Sequence, residues 1–200
     1  MAGKHEDAIW TAEHIKLLAS GVRQELVDTL GSLGGEAGAS ELALQLGRPM
    51  DGLYYHLELL RDGGLVRELP SSGTGERRFQ LASRRGQPLR IAYRPDQPGV
   101  ASALNKFAQQ LLNIAAQDFA AGLDAPGVTM DGPERELWIS RNKGWLSTAD
   151  LAEVNALLLR LGELTSQPSS PERTHLSSLA FVLAPVRPRG KRRAAKPSDT

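Results

Sequence analysis

Residues 50–60 read Met50-Asp51-Gly52-Leu53-Tyr54-Tyr55-His56-Leu57-Glu58-Leu59-Leu60, a phenol pair, an imidazole and two carboxylates in eleven positions. On DNA, tyrosine hydroxyls could reach phosphates and their rings could lie against base methyl groups. On a protein surface, two exposed tyrosines among acids form a contact patch. At helical spacing, Leu53, His56, Leu57 and Leu60 share one face and Asp51, Tyr54, Tyr55, Glu58 and Asp62 point away from it. His56 is therefore expected at the edge of a core, hydrogen-bonded to nearby backbone, rather than acting as a ligand or base. The four histidines, His5, His14, His56 and His175, form no H-x-x-x-H pair, and there is no cysteine. Thiolate metal sites, disulfides and a cysteine nucleophile are excluded, and a reducing compartment is consistent. No nucleophile elbow, dinucleotide fingerprint or phosphate loop occurs: the glycines of 31–38 follow no strand and precede no Gly-Lys-Ser/Thr. Asp131, Glu134 and Glu136 read as solvated loop acids. No catalytic residue, metal or cofactor is expected, and the protein is not expected to be an enzyme.

The elements that must position residues 50–60 are legible around them. Ile15, Leu18, Val22, Leu26 and Leu30 recur at helical spacing, and Ser20-Gly21 divides them into a short helix and a longer one that ends in the glycines of 31–38. Ser40 is a candidate N-cap for a helix carrying Leu42, Ala43 and Leu46, which Gly47 ends. Arg48-Pro49 then turns into the helix of 50–62, stopped by Gly63-Gly64. A strand over 65–69, a glycine-rich loop and a returning strand with Phe79 and Leu81 form a hairpin. Helix, turn, helix and hairpin spell a winged helix-turn-helix.

At this point Glu41-Leu42-Ala43, Leu46-Gly47, Leu53, His56-Leu57, Leu60 and Gly64-Leu65-Val66 fall in register with a family pattern. Over roughly residues 12–84 the chain is similar to the arsenic-repressor-like (ArsR-like) winged-helix regulators. The resemblance implies a bacterial, dimeric transcription regulator that reads double-stranded DNA through residues 50–62. The family's cysteine metal motif is absent, Pro49 stands where a Ser/Thr usually begins the recognition helix, and Tyr54 replaces a small residue. Within residues 40–67, Arg48, Arg61 and Arg67 face Glu41, Asp51, Glu58 and Asp62. Phosphate attraction supplies most non-specific affinity, so this unit needs help from Arg77 and Arg78 on the hairpin, from Arg84 and Arg85, or from the tail. The residues expected at DNA are Arg48, Met50, Asp51, Tyr54, Tyr55, Arg61, Arg77 and Arg78.

Beyond the hairpin, residues 88–95 read as a connecting strand. Val100, Leu104, Phe107, Leu111, Ala115, Phe119 and Leu123 mark a helix of about two dozen residues whose stripe calls for a partner helix. Residues 136–140 read as a strand, Ser147 with Asp150 as a capping box opening a helix with Leu151, Val154, Leu158, Leu161 and Leu164 on one face, and 175–185 as a final strand. Trp138 and Trp145 bracket Arg141 and Lys143. The tryptophans either anchor a small core, the preferred account, or line a pocket for an anionic or aromatic small-molecule effector with Trp138, Arg141 and Trp145 as its residues.

The fold expected is α+β and mainly helical. An N-terminal segment (1–10) precedes a winged helix-turn-helix domain (11–86), then a long helix with a small α+β dimerisation and effector region (87–185), and a basic, disordered tail (186–200). The tail from Arg187 holds six basic residues against Asp199, which leaves the rest mildly acidic although the net charge is +1. No apolar run nears the roughly 20 residues that span a bilayer, and residues 1–7 lack the apolar core of a secretory signal. A cytoplasmic homodimer without membrane contact is expected. The alternative is a winged-helix interaction module whose acidic, tyrosine-bearing surface binds a protein.

Overall fold

Apolar residues three and four apart can only leave water if their helices close on one another, and the first half of the chain does this. The computed structural model describes residues 8–9, 12–70, 75–82, 90–91 and 98–186. Helix α1 (Ala12–Leu18) buries Ile15 and Leu18, and α2 (Gly21–Ser32) buries Leu26, Val27 and Leu30. Helix α3 (Ala39–Leu46) adds Leu42, and α4 (Met50–Asp62) adds Leu53, Leu57 and Leu60. Burial of each such side chain contributes about 1.5–3 kcal/mol. The break at Ser20-Gly21 and the glycine stops stand as expected: Gly34, Gly35, Gly47 and Gly64 all have positive φ, the left-handed turn that ends a helix without a Cβ clash.

Strands β2 (Glu36–Gly38), β3 (Val66–Leu69) and β4 (Arg78–Leu81) form an antiparallel sheet in the order β2-β4-β3. Phe79, fully buried, pairs with Ala37 on one side and Glu68 on the other. The hairpin is the one expected, whereas β2 carries no alternation to announce it. Of the strand expected at 88–95, β5 (Arg90–Ile91) pairs in parallel with β1 (Ala8–Ile9); its other residues, Arg84, Arg85 and the tail from 187 lie outside the described residues.

Helix α5 (Val100–Asp124) runs the expected length and lies against α1 and α2. Its first turn enters the core through Val100 and Ala103, with Leu104 and Phe107 half-buried beside them. Gln24 is buried in this seam and its side-chain amide donates to the Leu18 carbonyl at 2.7 Å and the Phe107 carbonyl at 3.3 Å. It ties the end of α1 to α5.

Helix α6 (Thr148–Thr165) opens with the expected capping box: Ser147 Oγ accepts from the Asp150 amide at 3.1 Å, and Asp150 accepts from the Ser147 amide at 2.8 Å. The strands expected at 136–140 and 175–185 are not formed. Neither segment has a ladder partner among the described residues, where an isolated bridge joins Ser170 and Arg173. An apolar run prepares a strand, but a strand forms only where another offers its backbone groups.

Candidate nucleic-acid interface

Helices α3 and α4 are joined by Gly47-Arg48-Pro49. Gly47 takes φ +59° to close α3, and Pro49, two residues on, holds the extended backbone from which α4 starts, with no side-chain cap. Ser40, expected as the N-cap of α3, is not: Gly38 occupies that position. Ser40 instead donates from its amide to a Glu76 carboxylate oxygen at 2.9 Å, and its hydroxyl bonds the same oxygen. These bonds hold the Glu76 carboxyl below its usual range and fasten the hairpin's return to the start of α3.

With Leu53, Leu57 and Leu60 inward, the first turns of α4 present Met50, Asp51, Gly52 and Tyr55 to solvent, Tyr55 at 64% exposure. Tyr54 does not project freely as the helical wheel had it. It is half-buried against the core, and the Arg77 guanidinium lies 5.0 Å from its ring centroid, close also to Phe79 at 5.3 Å. Arg77 is a reach across the hairpin onto the recognition helix, so the wheel alone could not foresee it.

All four arginines expected to hold phosphate meet carboxylates within the chain. Arg77 makes a two-pronged pair with Glu68 at 2.7 and 2.9 Å and a further bond to Glu58 at 3.2 Å. Arg61 pairs with Asp62 at 2.9 Å and with Glu68 at 3.5 Å. Arg78 meets Glu36 at 3.2 Å, and Arg48 meets Glu25 at 2.8 Å. The hydrogen bonds from Arg77 pull the Glu68 carboxyl below its ordinary value. The pairs are partly exposed, so each is weakly held and a phosphate can compete for the arginine.

His56 is half-buried and meets the Tyr55 ring edge-on at 5.3 Å. The backbone hydrogen bond expected for it is not made at Nδ1, which is buried without a partner. Burial, then the charges of Arg23 and Arg48, depress its pKa, so the ring is held neutral. In the second half, Trp138 and Trp145 are 68% and 94% exposed, and the guanidinium over Trp138 is that of Arg135, 4.0 Å from the ring, rather than Arg141. Neither tryptophan anchors a core within this chain. Among the described residues no group of three or more His, Asp or Glu is placed to hold a metal, and no helix is long and apolar enough to cross a membrane.

Two packed helices joined by a glycine turn, with a hairpin beside the second, define a helix-turn-helix domain. A family model described as a helix-turn-helix domain matches residues 18–68, from the end of α1 through β3. The match supports a regulator of the helix-turn-helix kind. Among curated proteins none matches the chain.

Proposed function

We propose that the protein is a DNA-binding transcription regulator of the ArsR-like winged-helix type that acts as a homodimer in the cytoplasm, without enzymatic activity. The observation that carries this reading is the α3–α4 pair within the matched region, whose second helix exposes Met50, Asp51, Gly52 and Tyr55 at its N-terminal end. Recognition helices of this motif contact base edges with their N-terminal residues. Helix α4 then enters the major groove, and the β3–β4 hairpin lies on the backbone with Arg77 and Arg78. On docking, phosphates replace Glu58, Glu68 and Glu36 as partners of these arginines. Arg48 and Arg61 make the same exchange at the ends of α4.

One specific observation favours the second reading, a protein-binding winged helix: every one of those arginines is already matched by an acid of this chain. Selection of bound sequences from random duplex DNA with the full chain separates the two. A regulator enriches a defined sequence and loses affinity steeply as salt rises. No enrichment, with no duplex binding at low salt, would rule out the regulator and leave the interaction module.

A further inference from the structure

We propose that residues 125–186 fold against a second copy of this chain, whose own α5 and 125–186 segment complete a core that neither copy has alone. This deepens the homodimer reading above and rests on it. The segment is built for order: α6 is opened by a full capping box and carries a leucine stripe, and its flanks carry apolar runs at 137–139 and 179–183. Yet none of the residues 125–186 is buried. Helices in proteins draw most of their stability from packing an apolar face, and α6 has no buried residue; a segment without ladder partners leaves its backbone groups to solvent. What ties the segment to its own chain is slight. Leu137 lies over Gly122, where a Cβ would come within 2.9 Å of it, and Pro168 passes Gly34. The His175–Glu136 pair, at 3.2 Å, joins two residues of the segment itself.

The exposed apolar surface has the size an obligate interface needs. Trp138, Ile139, Trp145 and Leu176 are each at least two-thirds exposed, and Leu157 and Val182 more than half. With about 60–120 Å² for an aliphatic side chain and 150–250 Å² for an aromatic one, the segment offers on the order of 1,000 Å². Two copies together then reach about 2,000 Å², the lower bound of obligate homodimers. The patch continues onto α5, where Leu112 and Leu123 are about half exposed. Its charges are mixed, seven acids and five bases over 125–186. It thus lacks the single-sign field that would select an oppositely charged partner, and two identical faces can meet.

The test uses the full chain without DNA, so its result does not depend on whether the helix-turn-helix domain binds a duplex. Sedimentation gives the mass, and amide hydrogen exchange reads residues 136–140 and 175–184 at about 100 µM and again after about 1,000-fold dilution. The expected result is a mass twice 21.6 kDa, with exchange in these segments slowed at least about 100-fold and the protection lost on dilution. Phe181→Asp combined with Leu176→Asp should halve the mass while amides of α2 and α4 stay protected, which shows that the domain still folds. Leu44→Asp, an exposed site on α3, should leave the mass unchanged. A dimer whose 125–186 amides exchange freely overturns the proposal and leaves a dimer built on α5. Protection that survives dilution into monomers also overturns it, and a monomer at the higher concentration removes the homodimer reading as well.

Discussion

Arg77 of the hairpin bonds Glu58 of the recognition helix, Nη1 to Oε1 at 3.2 Å, across nineteen residues of sequence. The bond lies beside the tighter pair with Glu68 and over the ring of Tyr54. Hairpin and helix are thus fastened by the group that the hairpin would present to a phosphate. The surface is nearly self-neutralised, and DNA has to compete with the chain's own acids.

Removing the competitor should therefore strengthen DNA binding. Glu68 holds both Arg77 and Arg61, and Glu68→Gln frees them in part. Duplex affinity should rise at low salt, and the slope of log K against log salt should steepen by about one to two units, at roughly 0.9 per phosphate engaged. Arg77→Ala should act in the opposite direction, weakening all duplexes about equally. Salt titrations by fluorescence anisotropy check both. If neither substitution moves the slope, the hairpin is not on the backbone.

The half-buried imidazole of His56 sets a pH dependence of stability. Its pKa in the folded chain lies below the ordinary 6.5, chiefly through burial and then through Arg23 and Arg48. Between 6.5 and the lower folded value the unfolded chain binds the extra proton, so stability rises with pH across that window. It is complete above 6.5 and declines as the solution is acidified. Burial pushes the Asp28 carboxyl up to about 6, which adds a slope of opposite sign in the lower part of the window. The His56 contribution is therefore read as the difference between the native chain and His56→Gln in urea midpoints measured between about pH 7.5 and 5.5.

Gly52 stands within α4 with helical neighbours, and a Cβ built there meets nothing within 4 Å. Gly52→Ala should therefore stabilise the chain by about 0.5–1 kcal/mol, through helix propensity and a less free unfolded state. Thermal unfolding reads the gain. The same substitution should weaken operator binding if this face lies close to the groove floor. Greater stability with unaltered DNA affinity would move the interface away from the first turns of α4.

Gln24→Leu keeps much of the side-chain volume and removes the donors to Leu18 and Phe107. Loss of the buried bonds should cost about 1–3 kcal/mol, read as a lower denaturant midpoint at unchanged slope. An unchanged midpoint would mean that these carbonyls are equally well satisfied without the amide.

The helices of the first half were legible because each carries both a stripe of apolar residues at three- and four-residue spacing and a glycine where it stops. Gly47 and Gly64 sit at the left-handed positions the pattern requires. Strand β2 was not legible: three residues, Glu36–Gly38, become a strand only because β4 returns beside them. The exposed tip of α4 could be read from periodicity, but the pairing of its arginines could not. Arg78 with Glu36 and Arg48 with Glu25 join residues brought together only by the closed fold. The segments at 136–140 and 175–185 show the converse, a strand pattern in the residues with no partner strand among the described residues.

The amide of Gln24 has one further consequence. It is held by carbonyls from two different elements, one at the end of α1 and one within α5. If α5 slid by a single residue, the bond to the Phe107 carbonyl would be broken while that to Leu18 stayed, and one amide hydrogen would lose its partner. The long helix is therefore indexed to the domain like a pawl on a toothed wheel.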